Sequence, residues 1–154
     1  MATMLRLLAA FFFFTVEVQA QEPNTIEILT RAGVLVHYRA DGSLKAYRVG
    51  VGRPGFAWTG TERVTRKAEW PDWYPPDDMR KRDRTLPKRV PGGPNNPMGA
   101  RAIYLGTTLY RIHGSNEVET IGQSISSGCF RMRNEDVIEL YKAVTIGMKV
   151  TVRR

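Results

Sequence analysis

Short runs rich in β-branched and aromatic residues, each bounded by turn formers, recur along this chain and predict strands rather than helices. Thr25-Ile26-Glu27-Ile28-Leu29 and Val34-Leu35-Val36-His37-Tyr38-Arg39 are two such runs, separated by a turn that ends at Gly33. Asp41-Gly42 then predicts a hairpin onto Leu44-Lys45-Ala46-Tyr47-Arg48-Val49, because Asp-Gly supplies the positive φ angles of a tight twisted turn. The opening reads as a three-stranded meander.

From Gly50 to Pro97 the texture changes to Gly, Pro, Trp and charge, as in Glu69-Trp70-Pro71-Asp72-Trp73-Tyr74-Pro75-Pro76 and Pro91-Gly92-Gly93-Pro94-Asn95-Asn96-Pro97. This proline density argues against long regular elements, leaving Glu62 to Lys67 as a short strand. Trp58, Trp70 and Trp73 argue for an ordered excursion that walls one side of a groove, since disordered segments are poor in aromatics. Each tryptophan taken singly is equally well read as a packing residue.

Regular strands return at Arg101-Ala102-Ile103-Tyr104-Leu105 and Leu109-Tyr110-Arg111-Ile112, joined through Gly106. The second runs straight into His113-Gly114. The single convincing helix follows: Asn134 suits an N-cap, Glu135 and Asp136 suit the positive end of the dipole, and Val137, Leu140, Tyr141 and Val144 share one face. Gly147 stops it, and Lys149-Val150-Thr151-Val152-Arg153 alternates as a terminal strand. The fold class expected is mainly β, two packed sheets in a sandwich or an open barrel, with one principal helix. No internal repeat or low-complexity tract interrupts it.

The first twenty residues change the picture. Arg6 gives a positive start, Leu7 to Val16 is an apolar run dominated by Phe11-Phe12-Phe13-Phe14, and Val18-Gln19-Ala20 places small residues where a signal peptidase reads. The run falls short of the roughly 20 residues that span a bilayer, so residues 1–20 are expected to be a cleavable signal and 21–154 one compact exported domain with no transmembrane span. Arg6 and Glu17 cancel, so the mature domain keeps the net charge of +8. That surplus favours an anionic partner, and export points to the cell envelope or periplasm and away from nucleic acid. The bland reading, in which the charge serves solubility, stands beside it.

Candidate chemistry centres on Cys129, the one cysteine in the chain, which therefore has no internal disulfide partner. It lies in Ser126-Ser127-Gly128-Cys129-Phe130-Arg131, and His113-Gly114-Ser115 precedes it. Amide transfer through a thiol needs a thiolate, a base and donors aimed at the developing oxyanion. Cys129 supplies the nucleophile and His113 the base; a nearby imidazolium or helix N-terminus would lower the thiol from its usual pKa of about 8.5. One Cys and two His do not make a Cys/His zinc tetrad, so no metal is expected. No cofactor is expected either.

His113-Gly114-Ser115, Ser126-Ser127-Gly128-Cys129-Phe130-Arg131-Met132 and Asn134-Glu135-Asp136-Val137 together resemble the L,D-transpeptidase (YkuD-like) catalytic domain of bacterial cell-wall synthesis. The likeness extends upstream through Asn96-Pro97-Met98-Gly99-Ala100-Arg101 to the opening meander. It implies that Cys129 attacks the carbonyl of the third residue, a diamino acid, in a peptidoglycan stem tetrapeptide and releases terminal D-alanine. The acyl group then passes to an amine of a neighbouring stem, giving a 3→3 cross-link, to an outer-membrane lipoprotein lysine, or to water, as in an L,D-carboxypeptidase of the same family. It further implies that the Gly114 carbonyl orients His113, that backbone N–H groups of Ser127, Gly128 and Cys129 form the oxyanion hole, and that Ser126 shapes the loop. Many relatives carry a second histidine where this chain has Ser127.

Arg131 has two readings, pairing with a substrate carboxylate or bracing the catalytic loop. Glu117 and Glu119 are alternative orienting partners for His113. Arg101, Tyr104 and Tyr110 lie near the groove by sequence, and His37 is a strand residue outside the chemistry. The competing function is a non-catalytic, basic wall-binding module in which Cys129 is inert.

Overall fold

The computed structural model describes residues 22–154, so the expected signal at 1–20 lies outside the described residues. Ten strands and two α-helices follow in chain order: β1 (Thr25–Leu29), β2 (Val34–Tyr38), β3 (Leu44–Arg48), β4 (Val51–Gly52), β5 (Gly60–Glu69), α1 (Asp77–Arg82), β6 (Arg101–Leu105), β7 (Arg111–His113), β8 (Ser124–Ser126), β9 (Phe130–Arg131), α2 (Asn134–Ala143) and β10 (Lys149–Arg153). Eight of the strands form one curled sheet in the order β3-β2-β1-β10-β5-β6-β7-β9, and β4 pairs with β8 in a small ribbon. The mainly β class with one main helix is as expected from the sequence.

The meander forms as its pattern requires, with β1 antiparallel to β2 and β2 to β3. The terminal strand β10 enters the middle of the sheet, parallel to β1 and antiparallel to β5. Inward residues of these strands, among them Ile26, Ile28, Leu35, Val150 and Val152, meet Ile103, Leu105, Ile112 and Phe130 in one core that Val137 and Leu140 of α2 complete. Each is at most 2% exposed, so burial of roughly 25 cal/mol per Å² of apolar surface acts over the whole set.

Three sequence expectations need correction. The short strand at Glu62 to Lys67 is in fact β5, Gly60–Glu69, the longest strand described. Only Val64 of it is fully buried; it is held by ladders to β10 on one side and β6 on the other, so backbone pairing sustains a segment whose side chains carry little apolar signal. The strand expected at Leu109 to Ile112 is displaced to Arg111–His113, because Thr108 closes a turn onto Leu105. Asn134 is not the cap of α2: Arg133 holds that position without a side-chain bond, and Asn134 Oδ1 instead accepts the Ala100 amide at 2.9 Å. The short helix α1 was not foreseen.

His37 is 2% exposed with neither ring nitrogen hydrogen-bonded, and burial, with Arg39 in support, pushes its pKa down. It is a core residue of β2. No helix of the described residues is long and apolar enough to cross a membrane.

Candidate active site

Strand register brings the two expected reactive residues together. β7 and β9 run parallel, with Ile112 opposite Phe130 and His113 opposite Arg131. Cys129 is the residue just before β9, so the same register carries it alongside Arg111. Side chains two apart on a strand share a face, which places Arg111, His113, Cys129 and Arg131 on one face, with His113 and Cys129 diagonal across neighbouring strands. Both groups feel the same two guanidinium charges, Arg111 and Arg131.

His113 is 5% exposed, and its Nδ1 lies 2.6 Å from the Gly114 carbonyl oxygen. A carbonyl only accepts, so Nδ1 carries the proton and Nε2 keeps its lone pair. The turn that makes this possible is tight: a Cβ on Gly114 would strike Asn134 Oδ1, and one on Gly99, whose φ is +62°, would strike Gly114 and Ser115 backbone at 2.5 Å. The Asn96 side chain sets up the approach, donating to the Val90 and Pro91 carbonyls and accepting the Met98 amide. The Asn-Pro-Met-Gly and His-Gly-Ser segments thus interlock through Asn134.

Burial pushes the His113 imidazole down to about 4; the Gly114 and Met98 carbonyls oppose this, and Arg131 and Arg111 reinforce it. Cys129 keeps part of its surface in solvent, and its thiol points to the Leu109 carbonyl with Sγ at 3.7 Å. Burial pushes the thiol up, against the pull of Arg111 and Arg131. The resting pair is therefore a neutral thiol and a neutral imidazole, and the lowered thiol pKa expected from the sequence is not what this arrangement provides.

The loop before Cys129 is clamped from several sides. Ser126 Oγ donates to the Cys129 carbonyl at 2.6 Å and accepts the Gly128 amide at 3.1 Å. That engagement removes Gly128 from the expected oxyanion donors and leaves the amides of Ser127 and Cys129. Trp58 Nε1 donates to the Gly128 carbonyl at 3.1 Å, while its ring stacks on Tyr110 at 4.6 Å and packs on Phe130. Ser127 Oγ accepts from Arg53 Nη1 at 3.1 Å.

Arg131 Nη1 lies 2.9 Å from Glu117 Oε2 and 3.4 Å from Thr120 Oγ1, an arrangement that braces the loop after His113. Glu117 thus serves Arg131 and not His113. Arg101 pairs with Glu69 at 3.2 Å, away from the groove. Tyr104 does line a groove of about 300 Å³, together with Arg111, Arg66, Met98, Trp73 and Tyr74. Trp73 therefore walls a groove as expected, Trp58 supports the cysteine loop, and Trp70 is exposed. Sequence reasoning missed Arg53, Arg111 and the tie between Asn134 and Ala100; only their neighbourhood to the motifs hinted at them.

Residues 23–152 match the family described as the L,D-transpeptidase catalytic domain. The chain is 40% identical over 127 residues to the probable L,D-transpeptidase ErfK/SrfK of Escherichia coli, covering 77% of this chain and 40% of that protein. It is 36% identical over 141 residues to the probable L,D-transpeptidase YbiS of the same organism, covering 83% of this chain and 45% of that one. The chain thus spans less than half the length of these relatives. Among solved structures, the catalytic domain of an Enterococcus faecium L,D-transpeptidase superposes with a TM-score of 0.66 at 20% identity, covering 88% of this chain and 100% of that domain. A Mycobacterium tuberculosis L,D-transpeptidase gives 0.65 at 17% identity, over 84% of this chain and 57% of that one.

Proposed function

The chain belongs to the L,D-transpeptidase catalytic-domain family, and from that premise we propose that it is an exported cysteine acyltransferase acting on peptidoglycan stem tetrapeptides. The observation that carries the proposal is the placement of His113, with Nδ1 fixed on Gly114, on the same sheet face as Cys129. The mechanism requires the thiol, which rests against the Leu109 carbonyl, to turn toward His113. The imidazole is neutral at physiological pH, so Nε2 is open to a proton, while the burial that holds its pKa to about 4 makes it a weak base at rest.

Nε2 of His113 takes the thiol proton as Sγ bonds to the carbonyl carbon before the terminal D-alanine. The amides of Ser127 and Cys129 donate to the resulting oxyanion. As the tetrahedral centre collapses, the C–N bond breaks and the imidazolium returns its proton to the departing amine, leaving a thioester on Cys129. An acceptor amine then attacks the thioester, His113 removes its surplus proton and passes it to the sulfur, and Cys129 is regenerated. The acceptor is an amine of a neighbouring stem, with lipoprotein lysine and water as the alternatives.

Purified stem tetrapeptide tests this directly. Wild-type protein should release D-alanine and form a new amide when an acceptor amine is supplied, and Cys129→Ala should do neither. D-alanine release that persists in Cys129→Ala defeats the mechanism. Release without any amide product, whatever amine is supplied, assigns the chain to the hydrolytic branch.

A further inference from the structure

The strand registers set a row of side chains across the sheet that ends at the thiol. Arg66 of β5 lies opposite Tyr104 of β6, Tyr104 lies opposite Arg111 of β7, and Cys129 continues the row beside Arg111. Neighbouring strands lie about 4.8 Å apart, so three steps put Arg66 about 14 Å from Cys129. The two guanidinium groups sit near the same ring, Arg66 at 3.5 Å and Arg111 at 5.3 Å from the Tyr104 centroid. These stacks orient flat cations along one wall of the groove.

Neither arginine is paired with a carboxylate among the described residues. Arg111 Nη1 spends one donor on the Leu109 carbonyl at 2.9 Å. Asp72 also lines the groove, but it accepts from Arg89 at 2.7 Å and from the Gly92 amide at 2.9 Å, so its charge is already matched. A guanidinium fork on Arg66 with no carboxylate partner, and the donors that Arg111 has left beyond Leu109, make a receptor for an anion on the wall that leads to the nucleophile.

We propose that Arg66 and Arg111, spaced by Tyr104, form a carboxylate subsite that holds a free carboxylate of the acyl donor while its scissile carbonyl lies at Cys129. This rests on the reading of Cys129 as nucleophile and adds the chemical feature by which the donor is recognised. The donor is a peptide with a carboxylate one to three strand spacings, about 5–14 Å, from the carbonyl attacked. Arg131, satisfied by Glu117, takes no part.

The test is equilibrium binding of stem tetrapeptides to Cys129→Ser protein, which cannot complete turnover, with each free carboxylate of the peptide amidated in turn. Amidating the carboxylate that occupies the subsite should weaken binding about tenfold, the loss expected for a charge-assisted hydrogen-bonded pair. Adding Arg66→Gln should weaken binding of the free peptide by a similar factor and should not weaken the amidated peptide further. Arg66→Lys should restore only part, since an ammonium lacks the planar fork. Retention of Cys129 alkylation by iodoacetamide in Arg66→Gln protein that keeps the cysteine verifies an intact site. Equal affinity for every amidated and free peptide, or an Arg66→Gln loss that is the same for all of them, overturns the subsite. Failure of the parent reading shows separately, as D-alanine release that survives loss of Cys129.

Discussion

Placing a methyl group on Gly128 should disable the cysteine loop, and the structure sets the size of the effect. Gly128 has φ +107°, a conformation L-residues rarely adopt, and its added Cβ would lie 2.5 Å from Cε1 of Tyr110. Carbon atoms are comfortable at about 3.5 Å or more, so one side must yield by about 1 Å. Tyr110 is poorly placed to yield, since it stacks on Trp58 at 4.6 Å and Trp58 packs on the buried Phe130. Backbone strain of about 1–3 kcal/mol and overpacking of about 1–3 kcal/mol then put the cost of Gly128→Ala at roughly 2–6 kcal/mol. If the loop moves instead, Cys129 moves with it, and a displacement of about 1 Å at a reacting atom costs about 100-fold in rate. Urea unfolding gives the first quantity and acyl-enzyme formation by intact mass gives the second. Tyr110→Ala in the same protein should relieve the clash but not the strain, giving non-additive losses. A Gly128→Ala protein within about 0.5 kcal/mol of wild type that acylates at the wild-type rate would refute the reasoning.

Other consequences follow from the same geometry. Asn134→Ala strips the buried Ala100 amide of its acceptor and should cost about 1–3 kcal/mol in urea unfolding, while Asn134→Asp keeps an acceptor and should cost less; equal losses would deny that bond its role. Because His113 titrates at about 4 when folded against 6.5 unfolded, the unfolded chain binds more protons in that window. Stability should therefore rise with pH across it and be lost as pH falls from 6.5 toward 4, on the order of 3 kcal/mol in all. His113→Gln should flatten that part of the curve, and an unchanged slope would contradict the assignment. With the Cys129 thiol pushed up by burial, its alkylation by iodoacetamide should climb through alkaline pH with no plateau near neutrality. A plateau at pH 7 would mean that a thiolate is already present at rest.

The parts of this molecule that were legible in its sequence are those where one short stretch carries its own reason. The opening meander is one, since its β-branched runs and Asp41-Gly42 act locally. The nearness of Cys129 to His113 is another, because one composite motif holds both and the register of β7 and β9 sets them on one sheet face. β5 was only partly legible: Arg63, Arg66 and Lys67 are polar, and what holds them in a strand is pairing with β10 and β6, segments far away in sequence. Asn134 shows the same limit, since a residue well suited to cap its own helix is used across the chain at Ala100. The Gly128 amide was expected to face an oxyanion, and its capture by Ser126 Oγ depends on a loop geometry that residue types do not encode. Arg66 and Arg111 carry no signal until register sets both beside Tyr104.

The central claim is that the acyl group resides on the sulfur of Cys129 and reaches it with the help of His113. Stem tetrapeptide incubated with the protein, quenched in acid and digested, should give a mass increment on the peptide containing Cys129 equal to the donor less D-alanine, discharged on adding an acceptor amine and missing from His113→Gln protein. D-alanine release with Cys129 unmodified throughout the time course, or an equal adduct in His113→Gln, would contradict it.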